Sequence, residues 1–254
     1  MRIIAITQAR LGSTRFPKKI LKKIQDKTLL DIHLDRIKNS KLINEIIIAT
    51  TTNKEDKKLI DYAKKNNVSF YAGRENDVLD RFYNAAKKFD ADIIIRLTSD
   101  CPLIDSNLID SMINKFQSIH DIDYLSNIFY ESYPDGQDIE VFTFEALKKA
   151  WIKSTLKSDR EHVTPFIRKN SDYFGNKIFK AKNISNNINY SNVRMTVDEE
   201  VDFQVIKILI NKLGFNDNWE NYAKFYSDNI EIAKLNSHIK RNEGYQKSII
   251  EDAK

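Results

Sequence analysis

Thr7-Gln8-Ala9-Arg10-Leu11-Gly12-Ser13-Thr14-Arg15-Phe16-Pro17-Lys18-Lys19 follows directly on the apolar run Ile3-Ile4-Ala5-Ile6, and this junction decides the fold. The apolar run reads as a short strand buried on both faces. The chain then breaks into a loop of small residues and four cations. Residues 2–27 hold eight Lys/Arg (Arg2, Arg10, Arg15, Lys18, Lys19, Lys22, Lys23, Lys27) against one acid, Asp26. That local excess of +7 exceeds the +5 of the whole 254-residue chain, so the remainder sums to −2. Positive charge concentrated at a strand-to-loop junction suits a phosphate-rich ligand held on backbone N–H groups and fixed cations. The stretch reads as a nucleoside triphosphate site.

Working outward, the first half alternates short Ile-rich runs with amphipathic ones. Strands are expected over residues 2–7, 45–50, 68–71 and 92–97. Helical spacing is marked by Leu29, Leu30, Ile32, Leu34 and Ile37, by Leu59, Ile60 and Ala63, and by Val78, Leu79, Phe82, Ala85 and Ala86. This alternation predicts a parallel sheet with helices on both faces. Ligands of such sheets bind beyond the carboxyl ends of the strands. The loops 8–19 and 98–105 both leave strands at that edge, so two distant segments converge on one crevice. The second half is less regular. Strands are expected at 123–127, 138–142, 177–182 and 193–197, with a turn at Tyr133-Pro134-Asp135-Gly136. Helices are expected at 144–151, 159–168, 199–213 and 219–235, followed by a polar tail over 236–254.

Composition narrows the class. Apolar residues make up 41% and charged residues 30% of the chain, as in an ordinary soluble globular protein. No window approaches the roughly 18 apolar residues of a membrane span, and the first residues lack a signal-peptide pattern. Cys101 is the single cysteine, which excludes an intrachain disulfide and fits a reducing cytoplasm. Lys alternates with Glu and Asp along most of the chain, so the net positive charge reads as solvated surface and not as a nucleic-acid interface. The four His have no zinc spacing.

Two aspartates stand out. Asp100 ends a buried strand in Arg96-Leu97-Thr98-Ser99-Asp100-Cys101-Pro102-Leu103-Ile104-Asp105, where Pro102 biases Cys101 to an extended conformation. Asp198 stands in a similar place after Arg194-Met195-Thr196-Val197. Two carboxylates at one sheet edge suit a Mg²⁺ ion that bridges substrate phosphates. The other role open to each is to cap the helix that follows.

These blocks together resemble the cytidylyltransferase family that includes the acylneuraminate and KDO synthetases, and the chain looks closest to the SpsF-like branch of spore-coat polysaccharide biosynthesis. The family pattern Q/P-A-R-x-x-S-x-R-x-P-x-K is met by Gln8, Ala9, Arg10, Ser13, Arg15, Pro17 and Lys19. The further matches are Asp77–Arg81, Arg96–Asp105, Asp138–Phe142, Arg160–Pro165 and Thr196–Glu199, all in order between residue 2 and about 213. Two departures are Lys18 where relatives often have Gly, and Glu200 where they often have Pro.

The resemblance implies a three-layer, Rossmann-like nucleotidyltransferase of GT-A type: one domain over 1–235, with a nucleotide half (about 1–120), a small acceptor-side lobe (about 121–213) and a C-terminal helix. It implies Mg²⁺-dependent transfer of CMP from CTP to an anionic, sugar-like acid or phosphate, with loss of pyrophosphate, by an enzyme that is often dimeric. The roles carried over are catalysis by Arg10, Lys19, Asp100 and Asp198, with the metal on Asp100 and Asp198. Nucleotide contacts fall to Gln8, Ala9, Arg10, Leu11, Gly12, Ser13, Arg15, Lys19, Arg74, Arg81, Thr98, Ser99 and Asp100. Acceptor contacts fall to Asp138, Glu140, Arg160, Glu161 and His162. Two other readings stay open. A glycosyltransferase of similar architecture would use a nucleotide sugar and usually an Asp-x-Asp pair. A non-catalytic accessory subunit would bind nucleotide without turnover.

Overall fold

The Ile-rich runs sit at the centre of the sheet because both of their faces are covered. A computed structural model describes residues 1–252. In β1 (Ile3–Gln8), Ile3 and Ala5 enter one core while Ile4 and Ile6 enter the other. Successive side chains of a strand point to opposite faces, so a strand between two cores must be apolar throughout. Ile4 and Ile6 are fully buried, each contributing roughly 1.5–3 kcal/mol by the area removed from water.

After the loop, the short hairpin β2 (Lys23–Ile24) and β3 (Lys27–Thr28) leads into α1 (Leu29–Lys38), which starts on a capping box between Thr28 and Asp31. There follow β4 (Glu45–Thr51), α2 (Lys57–Lys65), β5 (Ser69–Gly73), α3 (Val78–Lys88), β6 (Ile93–Thr98) and α4 (Ser106–Gln117). The second half comprises β7 (Tyr124–Ser126), β8 (Glu140–Thr143), α5 (Phe144–Lys153), α6 (Lys157–His162), α7 (Pro165–Lys169) and β9 (Ala181–Asn183). The chain closes with α8 (Glu200–Leu213), α9 (Trp219–Asp228), α10 (Ile230–Asn236) and α11 (Glu243–Asp252).

The seven strands of the main sheet run in the order β5-β4-β1-β6-β8-β7-β9. All pairings are parallel except those of β8, which runs against both β6 and β7. Helices α4, α8 and α9 cover one face and α3, α5 and α7 the other. This is the expected α/β architecture with helices on both sides of a mostly parallel sheet. Among the described residues no helix is long and apolar enough to cross a membrane.

Five expectations from the sequence change. Residues 193–197 form no strand: Asp135 bridges Arg194, Asp135 N donates to Val193 O (2.9 Å) and Val197 N donates to Asp100 O (2.8 Å). The segment is extended but pairs with loops. Residues 177–182 contribute to the sheet only from Ala181 onward. The helix expected over 159–168 is cut in two at Val163, whose φ of 72° forms a γ-turn closed by Thr164 N on His162 O at 2.8 Å. Pro165, without an N–H, starts the second piece. The helix expected over 219–235 breaks at Asn229, and the polar tail carries α11, which packs on α6.

Candidate active site

The register of the sheet builds the site. Gln8 lies beside Thr98 at the carboxyl ends of β1 and β6, so the loops that follow leave the same edge side by side. The first loop is pinned by Asp56, whose carboxylate accepts from Leu11 N at 2.8 Å and from the Thr51 hydroxyl. Lys18 N then closes the loop onto Leu11 O at 3.2 Å, with Lys18 in the left-handed region at φ 56°. A residue with a Cβ pays about 1–2 kcal/mol there. Ala9 and Leu11 are buried, Gly12 and Ser13 half-buried, and Arg10 and Arg15 exposed.

Lys19 is turned inward and joins the two aspartates. Its Nζ lies 2.9 Å from Asp100 Oδ2 and 2.8 Å from Asp198 Oδ1. Burial works to strip the ammonium of its proton, but the two carboxylates outweigh it and raise its pKa above the ordinary value. Burial likewise opposes ionisation of Asp100, and Lys19 overrides it, holding the carboxyl at about 2. Asp198 is ringed by cations: Arg15 at 3.1 Å, Arg194 at 3.2 Å and Lys19. The two acids keep 29% and 23% of their side-chain surface exposed, so both remain reachable from solvent.

Neither aspartate caps a helix. Asp105 caps α4, through Asn107 N at 2.8 Å and Leu108 N at 3.2 Å. Glu199 and Asp202 form the capping box of α8. The structure thereby removes the second role that the sequence left open for Asp100 and Asp198.

Several positioning residues carried no sequence motif. His33 of α1 lies fully buried under the Asp100 loop, with Nδ1 2.9 Å from Cys101 O and Nε2 2.9 Å from Thr7 Oγ1. Burial depresses it to about 4, so the imidazole is neutral. Its single N–H donates to the Cys101 carbonyl, and Nε2 accepts from the Thr7 hydroxyl. Arg194 holds Asp202 (2.9 and 3.0 Å), Asp135 (2.7 Å) and Asp198 together. Gly136, at φ 109°, lets this segment approach: a Cβ there would sit 2.7 Å from the Met195 carbonyl carbon. Long-range pairing was needed to reveal these roles, since Cys101 lies 68 positions from His33 and Asp135 lies 59 from Arg194.

The other expected nucleotide residues form a second group. Arg10 pairs with Glu75 at 3.0 Å, not with the aspartates. Arg81 is buried and donates to Arg74 O (2.6 Å) and Glu75 O (2.8 Å), fixing the loop after β5. Gly73 makes room, since a Cβ would meet Arg81 Cγ at 2.9 Å. Arg74 is exposed. Thr98 Oγ1 lies 3.2 Å from Cys101 Sγ, and Ser99 N donates to Gln8 O at 3.3 Å.

The expected acceptor residues are dispersed. Glu140 is buried in a polar knot, accepting from Tyr124 (2.5 Å), Thr164 and Arg96. Arg160 pairs with Asp77 at 2.8 Å and donates to the carbonyls of Trp151 and Ser154. Asp138, Glu161 and His162 all meet the C-terminal segment: Asp138 pairs with Arg241, while Ser248 bridges Glu161 (2.9 Å) and His162 (3.0 Å).

Two hard carboxylate oxygen donors, with no third His, Cys, Asp or Glu completing a metal cluster among the described residues, fit Mg²⁺, which is commonly held by one or two carboxylates plus substrate phosphates. The Lys19 ammonium between them already acts as a stand-in cation.

A parallel sheet whose carboxyl edge carries a cationic loop and a facing acid pair defines a nucleotidyltransferase. The chain belongs to the cytidylyltransferase family, whose sequence profile matches residues 4–237. It is 38% identical over 244 residues to the uncharacterised protein MJ1063 of Methanocaldococcus jannaschii, covering 95% of this chain and 97% of that one. It is 31% identical to the spore coat polysaccharide biosynthesis protein SpsF of Bacillus subtilis, over 84% of this chain and 88% of SpsF. Among solved structures it superposes on a cytidylyltransferase from Leptospira borgpetersenii with TM-score 0.86 at 35% identity, covering 95% of this chain and all of that one. A CMP:2-keto-3-deoxy-manno-octonic acid synthetase complexed with CTP shares the fold, with TM-score 0.62 at 15% identity over 84% of this chain and 99% of that one. The chain is thus a CTP-dependent nucleotidyltransferase, which sets aside the glycosyltransferase and accessory-subunit readings.

Proposed function

We propose that the chain transfers CMP from CTP to an oxygen of an anionic, sugar-like acceptor and releases pyrophosphate, producing an activated sugar for surface polysaccharide. The observation that carries this reading is the Lys19 ammonium held between Asp100 and Asp198 at 2.9 and 2.8 Å. Asp100 and Asp198 would hold Mg²⁺, which supplies charge neutralisation at the α-phosphate when bound. The acceptor oxygen attacks the α-phosphorus, the bond to the bridging β-oxygen breaks, and the acceptor's proton passes to solvent. Lys19 and Arg15 lie where they would take the negative charge that builds on the departing pyrophosphate. Loop N–H groups around Leu11–Ser13 would bind phosphate oxygens, and Gln8, Ala9, Thr98 and Ser99 would line the junction below. Arg10, with Arg81 and Arg74 behind it, would border the nucleoside. Positioning and charge stabilisation suffice for such a displacement, so no nucleophilic triad is needed.

The test is pyrophosphate release from CTP, UTP, ATP and GTP with Mg²⁺ against a panel of acidic sugars and sugar phosphates. Release with CTP and one acceptor class is expected. Silence across the panel, with CTP still binding, would overturn the transfer reaction.

A further inference from the structure

The acceptor-side half holds a buried cation with no direct ion pair among the described residues, its charge supported from farther off by Glu140 and Asp138. Arg168 on α7 makes no side-chain hydrogen bond and no ion pair among the described residues, and its Nε is sealed from solvent without a partner. The nearby acid Glu140 is already taken by Arg96, Tyr124 and Thr164. A guanidinium withdrawn from water with open donors costs free energy unless an anion meets it.

The covering comes from the far end of the chain. The Tyr245 ring of α11 lies over the Arg168 guanidinium at 5.2 Å and meets the His162 ring edge-on at 5.1 Å. His162 and Arg168 are six residues apart, about 120° around an uninterrupted helix. The γ-turn at Val163 breaks that helix and lets both side chains meet one ring. Left-handed φ at a β-branched residue is strained and tends to mark functional places.

The tail is fastened at both ends. Arg241 pairs with Asp138 and donates to Tyr133 O at 3.2 Å, and Asn242 donates to Glu131 at 2.9 Å. Farther on, Ser248 bridges Glu161 and His162, and Ser158 N donates to Asp252 at 3.1 Å. Arg96, whose Nε is also sealed without a partner, spans from Glu140 to Gln8, reached by Nη2 at 3.4 Å. Arg96 therefore links Glu140 to the start of the cationic loop.

We propose that α11 roofs the acceptor site and that Arg168, beneath Tyr245, anchors the acceptor's anionic group, a carboxylate or a phosphate. This assignment rests on the reading of CMP transfer to an anionic acceptor. It moves the anion anchor from Arg160, which is committed to Asp77, to a residue whose donors are open.

The experiment is a thermal-shift titration of the full chain as wild type, Arg168→Gln, Arg168→Lys and Tyr245→Leu. The probes are 3-deoxy-manno-octulosonate for the carboxylate and glucose 1-phosphate for the phosphate, with CTP as reference ligand. At least one probe should stabilise the wild type, and the responding probe names the group. Arg168→Gln should weaken that probe about tenfold or more, as expected when a charge-assisted hydrogen bond is lost, while the CTP shift stays. Tyr245→Leu should weaken it less, and Arg168→Lys should keep part of it. The proposal is overturned if neither probe shifts the wild type at millimolar concentration, or if Arg168→Gln binds the probe as the wild type does. A parallel fall in the CTP shift would also overturn it. Should Arg168→Gln fail to fold, the Arg168→Lys and Tyr245→Leu titrations decide on the same terms. Because the readout is binding without turnover, absent pyrophosphate release would sink the transfer reaction separately from this site.

Discussion

The region around Lys19 and the region around Arg168 handle charge in opposite ways. On the nucleotide side every key cation already has an acid: Lys19 has Asp100 and Asp198, Arg15 has Asp198, and Arg10 has Glu75. If the proposed reaction holds, Asp100 and Asp198 would hold the metal while Lys19, Arg15 and Arg10 would turn to the phosphates. On the acceptor side Arg168 has no such partner. On the two proposals above, the difference teaches that a site for a ligand arriving with its own cation can be internally neutral, whereas a site for a bare anion is left with cation to spare.

The largest expected effect breaks the nucleotide side of this contrast. Asp100→Asn should lower turnover about 10³-fold, of the order seen when one transition-state contact is removed, with the unfolding midpoint little changed. Near wild-type turnover would sink the metal assignment. Gly136→Ala strikes the turn that packs on Met195. Its φ of 109° and the 2.7 Å approach to Met195 should cost about 2–3 kcal/mol in chemical denaturation and displace Arg194 and Asp198. Full stability would show that the 194–198 segment can move.

A pH titration of stability sharpens the comparison. His33 is held at about 4 against 6.5 for a free imidazole, so the unfolded chain binds the extra proton between those values. Stability should therefore rise from pH 4 to 6.5, by about 3 kcal/mol from this fully buried group. His162, pushed by burial and then by Arg96 to about 4, acts in the same direction. Asp135 opposes them: burial, and then Asp138, raise it to about 7 from 3.8, so its contribution declines as pH rises through that window. In Asp135→Asn the rise should steepen; an unchanged slope would show that Asp135 is ionised throughout. The smallest effect is expected from Lys18→Gly, which relieves the left-handed residue and should stabilise by less than about 1 kcal/mol, the gain being offset by glycine's extra freedom when unfolded.

The fold and the acid pair were legible in the sequence because their signals are local. Ile3–Ile6 and Arg96–Asp105 carry strand identity and the exit into a loop within a few residues. The break at Val163 was partly legible in Pro165, yet the helical pattern of 159–168 obscured it. Residues 193–197 read as a strand from their apolar alternation, but their partners are the loops at Asp100 and Asp135, which no periodicity encodes. Glu140 and Arg160 sat in matching motifs, and the structure places them in a polar knot and on Asp77. His33, Asp56 and Arg194 lacked any motif because the fold brings their partners in: Cys101 lies 68 positions from His33, Asp135 lies 59 from Arg194, and Leu11 lies 45 from Asp56.

What the sequence determined by itself is the alternation of main-sheet strands and helices as far as β6, the cationic loop and the two aspartates, since each depends on side-chain periodicity or on charge within one short segment. What only the tertiary structure decided is which charges neutralise one another. Ion pairing depends on separations of a few ångströms between residues far apart in the chain, such as the 179 positions from Lys19 to Asp198. The same distance law places Tyr245 over Arg168 and turns a polar tail into the cover of a buried cation.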